Sequence, residues 1–268
     1  KRATNKEERN EFKGSKYVQS DLRDIFPQIK EDLKQGLTVL FSGTPCQTAG
    51  LASFIGKRLR EKLILVDIVC HGVPAPYIWR DYLAYLEKKY KQPIVEVNFR
   101  DKSRIGWSGH IESFVFQDGT KRELKTYSHL FGKCIMVRPS CSKCHYTNFK
   151  RPSDLTIADY WGWENLSPDF NRDNKGCSLL LVNTAKGVEI FEKRKETLNY
   201  LATTQALCMQ PNLKSPSFFS PQWKNFEKLY EKKGFIAITK RYGNLGWRYK
   251  LEQKIQNIKK IIKKIVKL

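Results

Sequence analysis

No stretch of this chain approaches the run of about 18 apolar residues that carries a helix across a membrane. A second Cys-x-x-Cys step is also missing, since Cys141 and Cys144 form the only one. Acidic residues are scarce beside basic ones, with 27 Asp and Glu against 49 Lys and Arg and a formal charge of +22. Each shortage excludes something. The first removes a helical membrane span. The second removes a self-contained zinc ribbon, which wants another cysteine pair about 15–20 residues away. The third points to anionic partners: nucleic acid, an acidic membrane, an acidic protein or a phosphorylated cofactor. Most of the charge is Lys spread along the chain, not Arg clustered with aromatics, which speaks against nucleic acid. A soluble protein of a Lys-rich proteome explains the same balance.

The chain has 268 residues, of which 40% are hydrophobic, enough for one large domain or two modest ones. It opens on Lys1, and residues 1–10 are charged and polar with no visible signal segment. The expectation is a piece of a longer protein that lacks its N-terminal part. Seven cysteines without a secretory signal predict reduced thiols in the cytoplasm, not a disulfide scaffold.

Helical spacing predicts a helix over residues 25–33, ending near Gly36. Residues 37–41 read as a short buried strand running into Ser42-Gly43-Thr44-Pro45-Cys46, and residues 47–59 as a helix. Residues 63–69 read as a second buried strand, interrupted by Asp67, that delivers Cys70 to the next turn; residues 76–90 read as a helix. Two successive βα units predict parallel strands. They place Cys46 and Cys70 at equivalent carboxyl ends, the edge where open α/β sheets bind ligands. From Ile94 the pattern alternates, and 95–99, 112–116 and 121–124 predict an antiparallel section with a turn at Asp118-Gly119. Strands over 155–160 and 179–183 and a helix over about 187–200 follow. The predicted fold is α/β: a mixed sheet, parallel βα units in the N-terminal half, an antiparallel section and a helical C-terminal tail. Residues 1–200 are expected to form the main domain and 201–268 a helical extension.

Cys46 and Cys70 sit in unusual settings, Gly43-Thr44-Pro45-Cys46-Gln47 and Cys70-His71-Gly72-Val73-Pro74. Pro fixes φ and Gly permits close backbone approach, so such loops hold a ligand rigidly. With Cys141 and Cys144 they make four sulfurs, the number that a cubane iron–sulfur cluster or a tetrahedral zinc requires. Cysteines on three separate loops fit a cluster at a sheet edge better than a zinc knuckle. A redox Cys-x-x-Cys would open a helix after a strand, whereas this one lies in a polar, Pro-containing loop. His71 suits a hydrogen-bonding role better than ligation. Cys134, Cys177 and Cys208 read as buried. Lys16, Arg100 and Lys102 offer charge for a pyrophosphate, and Tyr17, Trp107 and Trp161 offer faces for a flat ring; surface charge and core aromatics account for the same residues.

The tail differs from the rest. Over 247–268 the residues Leu251, Ile255, Ile258, Ile261, Ile262, Ile265 and Leu268 recur at spacings of three and four, with eight Lys and Arg against Glu252 alone. A basic amphipathic helix suits an anionic membrane surface or an acidic partner. The alternative is a terminal helix docking its Ile stripe on the domain.

Taken in order, Gly14-Ser15-Lys16-Tyr17-Val18-Gln19-Ser20, Phe41-Ser42-Gly43-Thr44-Pro45-Cys46-Gln47, Cys70-His71-Gly72-Val73-Pro74, Phe99-Arg100-Asp101-Lys102, Arg138-Pro139-Ser140-Cys141 with Cys144, and the run from Ser153-Asp154 to Asp159-Tyr160-Trp161-Gly162 resemble the coenzyme F420 hydrogenase/dehydrogenase beta-subunit family. The resemblance covers Gly14 to about Gly187; the basic tail has no counterpart in it. It implies an iron–sulfur flavoprotein, an oxidoreductase passing electrons between a [4Fe-4S] cluster and FAD, with hydride exchange to F420 or another two-electron carrier. It implies the cluster ligands Cys46, Cys70, Cys141 and Cys144. It implies flavin contacts at Gly14, Ser15, Lys16, Tyr17 and Gln19 and at Gly43, Thr44, Pro45 and Gln47, to which Arg100 and Lys102 are added for the phosphates. The partners implied are a ferredoxin-like electron donor or fused ferredoxin segment and a small-molecule hydride carrier, with no nucleic acid. The expected location is cytoplasmic, with peripheral membrane contact through the tail. The rival reading is a zinc-stabilised binding module for nucleic acid or an anionic surface, and a third is a non-catalytic scaffold.

Overall fold

The computed structural model describes residues 1–265, leaving aside the side chains of 259–261 and 263–265. Two helices, α1 (Lys6–Asn10) and α2 (Ile25–Lys34), precede the first strand, β1 (Val39–Gly43). Helix α3 (Pro45–Ile55), strand β2 (Leu63–Ile68) and helix α4 (Pro76–Tyr90) follow. β1 and β2 pair in parallel, from Val39 opposite Leu63 to Gly43 opposite Asp67. The expected βα units are therefore present. Helix α3 starts earlier than expected because Pro45 suits the first helical position, and it stops at Gly56, whose φ is +74°.

Strands β3 (Ile94–Asn98), β4 (Glu112–Phe116) and β5 (Lys121–Leu124) form a separate antiparallel sheet. The short helix α5 (Thr126–Gly132) and a 3₁₀ turn (Pro139–Lys143) lead to β6 (Leu155–Asp159), which returns to the first sheet parallel to β2. β7 (Ser178–Val182) closes that sheet antiparallel to β6, giving the order β1-β2-β6-β7. Helices α6 (Ala185–Glu192), α7 (Pro211–Lys214), α8 (Trp223–Arg241) and α9 (Trp247–Ile265) complete the chain. The helix expected over 187–200 ends at Glu192 and is followed by a 3₁₀ turn at Lys195–Thr197.

Strand alternation decides which residues are buried. Phe41, Leu63 and Leu65 pack with Ile29, Leu33, Leu51 and Ile55 under α2 and α3. The other face of the same sheet carries Leu40 at 61% exposure, together with the exposed Ile68, Ile157 and Val182. The expected buried strands are thus buried on one face, and the other face of β1 and β2 is partly open. A second core joins α4, the three-stranded sheet and α8 through Tyr82, Leu86, Phe114, Phe116, Tyr127, Phe235 and Ile238. The tail helix forms as expected up to Ile265; residues 266–268 of that expectation lie outside the described residues.

Candidate metal and cofactor site

Cys46 stands in the first turn of α3, capped by Thr44, whose backbone N–H donates to Gln47 Oε1 at 2.9 Å. Gln47 is accordingly buried as a helix cap, and a Cβ on Gly43 would stand 3.0 Å from its Oε1. The Thr44 hydroxyl lies 3.1 Å from Cys46 Sγ. Cys70 follows β2 by two residues, and its sulfur accepts from the Gly72 N–H at 3.3 Å.

Cys141 lies in the 3₁₀ turn and Cys144 directly after it, so the segment expected as a plain loop has one turn of helix. This turn is held against the Cys70 segment. The Arg138 N–H donates to the Val73 carbonyl at 3.0 Å, and Pro74 and Val137 form a β-bridge. Gly72 adopts φ +111°, and a Cβ there would meet Val137 Cγ1 at 2.5 Å and Cys141 Cβ at 3.3 Å. Only Gly lets the two segments come this close.

Cys70 and Cys141 are both made harder to ionise. Burial pushes the Cys70 pKa up to about 11, its Gly72 hydrogen bond opposes this, and Cys141, Cys46 and Cys144 raise it further. Burial also raises Cys141, a hydrogen bond from Val73 opposes it, and Cys46 and Cys144 add to the rise. Among the described residues no three or more of His, Cys, Asp and Glu converge tightly enough for one metal ion. Zinc would draw its sulfurs to about 2.3 Å from a single centre. A cubane spreads four thiolates over several irons. The four candidate ligands are an all-sulfur donor set, soft enough for either centre.

A buried ion pair underpins the cysteine turn. Arg151 and Asp67 approach to 2.9 Å with both side chains wholly buried. No well-aligned hydrogen bond reaches the Asp67 oxygens among the described residues, so the attraction is one of charge at short range. The Arg151 N–H groups are directed instead at the Ile68 carbonyl (2.9 Å), Thr156 Oγ1 (3.2 Å) and the Tyr146 carbonyl. Arg151 therefore ties the segment after Cys144 to the strand end before Cys70. Asp154 pins the start of β6 by accepting from the Leu65 N–H at 2.8 Å and Arg60 at 3.0 Å. In the sequence Asp67 stands out only as an acidic residue inside an apolar strand, and its partner Arg151 lies far along the chain.

His71 is turned away from the thiols expected to bind metal. Its Nε2 lies 3.2 Å from Cys134 Sγ, and its ring stands edge-on to Phe131 at 4.9 Å. Cys134, Cys177 and Cys208 are buried, as expected. Phe131 touches Tyr17 at 5.2 Å, and Tyr17 stacks on His110 at 5.3 Å. The segment of Gly14, Ser15, Lys16, Tyr17 and Gln19 thus reaches the Cys70 loop through two aromatic contacts. Gln19 Oε1 and His110 Nε2 are buried without a hydrogen-bond partner among the described residues. Burial holds the His110 pKa low, Arg100 adds to this, and Asp159 opposes it. Nothing in the sequence singled out His110.

Arg100 is buried and pairs with Asp159 at the carboxyl end of β6, which also accepts from Trp107 Nε1 at 2.9 Å. Its guanidinium lies over Trp107 and Trp161, which stack on each other at 4.6 Å. Arg100 therefore has its counter-charge within the chain. Trp107 is buried, and Trp161 is the member of the stack with an exposed face. Lys16 is exposed and donates to the carbonyls of Lys13 (2.8 Å), Phe12 (3.2 Å) and Gly14 (3.4 Å). Lys102 lines an open surface cavity of about 510 Å³ with Arg104, Asp173 and Lys175. The structure thus brings the Cys141 turn against the Cys70 loop, reaches that loop from the Tyr17 segment through Phe131 and His71, and leaves Lys16 and Lys102 at the surface.

A family model for the C terminus of the coenzyme F420 hydrogenase/dehydrogenase beta subunit matches residues 36–206. No curated protein matches the chain. Among solved structures, a chain of the xenon-derivatised F420-reducing [NiFe] hydrogenase complex from Methanosarcina barkeri aligns with a TM-score of 0.40 and 14% identity. That alignment covers 69% of this chain and 57% of the other, so this chain spans little more than half of that relative's length.

Proposed function

The chain belongs to the coenzyme F420 hydrogenase/dehydrogenase beta-subunit family, and from that membership we propose an oxidoreductase subunit that holds a [4Fe-4S] cluster on Cys46, Cys70, Cys141 and Cys144 with FAD beside it. The observation that supports this reading is the placing of Cys46 and Cys70 just past the carboxyl ends of two paired parallel strands, with the Cys141 turn packed against the Cys70 loop at Gly72. A flavin held there would supply both two-electron and one-electron chemistry, as needed between a hydride carrier and a cluster.

The protein's own residues supply the rest. Cys70 and Cys141 would lose their ionisation penalty on coordinating a cationic centre, because coordinated thiols are deprotonated outright. The N–H groups of Gly72 and Val73 then point at thiolate sulfur, and such hydrogen bonds help to set a cluster's potential. Gln19 and His110 support a polar ligand beside Tyr17, since an unmet buried polar atom costs about 1–3 kcal/mol. Lys16, Arg100 and Lys102 are the cations proposed for the phosphates of such a ligand, and Gly43, Thr44, Pro45 and Gln47 the capped turn proposed to border it. A ferredoxin-like donor, F420 or another hydride carrier, and a cytoplasmic setting belong to the same proposal.

Anaerobic purification with iron, sulfide and flavin quantified tests it. The expected result is a brown protein with about four irons and four sulfides per chain, a content that Cys141→Ser abolishes. Iron-free protein that binds one zinc per chain would favour the binding-module alternative and overturn the redox reading.

A further inference from the structure

Helix α9 turns its apolar stripe away from the protein. Trp247, Leu251, Ile255, Ile258 and Ile262 recur at spacings of four, four, three and four, and each is between 44% and 70% exposed. At about 100° per residue they share one face. Tyr249 and Gln253, the half-buried positions of the helix among the described residues, lie on the opposite side. Tyr249 meets the His129 ring at 4.9 Å, so it is the polar side of α9 that rests on the body of the protein. A terminal helix completing the core would do the reverse.

Charge selects the occupant of the exposed face. Residues 247–268 carry eight Lys and Arg against Glu252. Arg248 and Lys254 flank the stripe on its two sides and are exposed. A protein groove fitting this helix would cover the stripe alone. An anionic bilayer takes both parts, apolar residues and a leading Trp at the acyl boundary and lysines among the headgroups.

We propose that α9 lies in the plane of an anionic membrane surface and makes the protein peripherally membrane-bound. This stands apart from the redox reading, for it uses none of the thiols and no cofactor.

Co-sedimentation of the full chain with vesicles tests it. Phosphatidylcholine vesicles containing phosphatidylglycerol should retain the protein at least about tenfold better than phosphatidylcholine alone, and salt should weaken the binding. Ile255→Glu with Ile258→Glu should lower partition to anionic vesicles by about tenfold or more. Both positions are exposed, so an unchanged circular dichroism spectrum is expected. Lys250→Glu with Lys254→Glu, which keeps the apolar stripe, should remove the preference for anionic lipid. Equal retention by the two vesicle types overturns the proposal. So does wild-type binding by the Ile double variant, which would assign the effect to the diffuse charge of +22. Ile-dependent self-association, or Ile-dependent binding to poly-glutamate, without vesicle binding overturns it in favour of a second copy or an acidic protein.

Discussion

Cys46 and Cys70 stand at the ends of paired strands, whereas Cys141 and Cys144 stand on a single 3₁₀ turn. The first wall of the candidate thiol site is placed by a strand ladder and a helix cap. The parallel ladder from Val39–Leu63 to Gly43–Asp67 sets the relative height of the two strand ends, and the capped start of α3 fixes Cys46 above β1. Among the described residues the second wall has no ladder beyond the Pro74–Val137 bridge. Its position depends on a few long-range contacts: the Arg138 N–H on the Val73 carbonyl, a Gly at φ +111° that leaves room for Val137, and an arginine buried against an aspartate. The walls should therefore fail differently. One should resist point substitution, and the other should move when a distant side chain changes.

The largest effect is expected at the buried pair. Asp67→Asn leaves the Arg151 charge buried without its partner, and breaking such a pair costs about 3–5 kcal/mol. Urea unfolding measures the loss. Replacing both residues by apolar ones of similar volume should restore most of the stability, because no lone charge remains. If the double variant regains stability but not iron, Arg151 is needed to place Cys144 as well as to balance charge. A smaller loss, roughly 1–3 kcal/mol, is expected for Gly72→Ala. Its Cβ would enter the space of Val137 Cγ1 while the backbone keeps a conformation that side chains disfavour. A Gly72→Ala protein that unfolds normally but loses iron would show that the separation of the two walls matters more than the local strain.

This contrast also explains what was legible in the sequence. The sheet wall could be read because local signals agree there: an apolar run, a Gly-Thr-Pro turn, then helical spacing. Helix α4 and strands β4 and β5 have the bounds that periodicity predicted. The openness of one sheet face was not legible, because a short apolar run looks the same whether one face or both are covered; Leu40 and Ile157 are exposed within such runs. Helix α8 was hidden by the kink at Gly234, φ +68°, which breaks the spacing of Phe226, Phe235 and Ile238. The cysteines of the second wall were visible as residue types, but what places them is long-range. Arg151 and Asp67 meet only because β6 returns beside β2. His110 is likewise made notable by what surrounds it, Tyr17 against its ring and no partner for Nε2 among the described residues.

The smallest effect concerns reactivity. In reduced, metal-stripped protein Cys46 is exposed, while Cys70 is partly covered and its pKa is pushed up to about 11, chiefly by burial. At about pH 8 that leaves roughly one Cys70 thiol in a thousand ionised, and the thiolate is the nucleophile. The ionised fraction rises about tenfold with each pH unit until about pH 11, then levels off. Iodoacetamide labelling followed by peptide mass spectrometry should find Cys46 modified first and Cys70 lagging, with the Cys70 rate climbing steeply on the alkaline side. A Cys70 rate that matches Cys46 near neutral pH and barely changes above it would mean that the strand-end thiol is not held in the covered position. The two members of the sheet wall would then be equally open, and its rigidity would have to come from the bound metal instead of the backbone ladder.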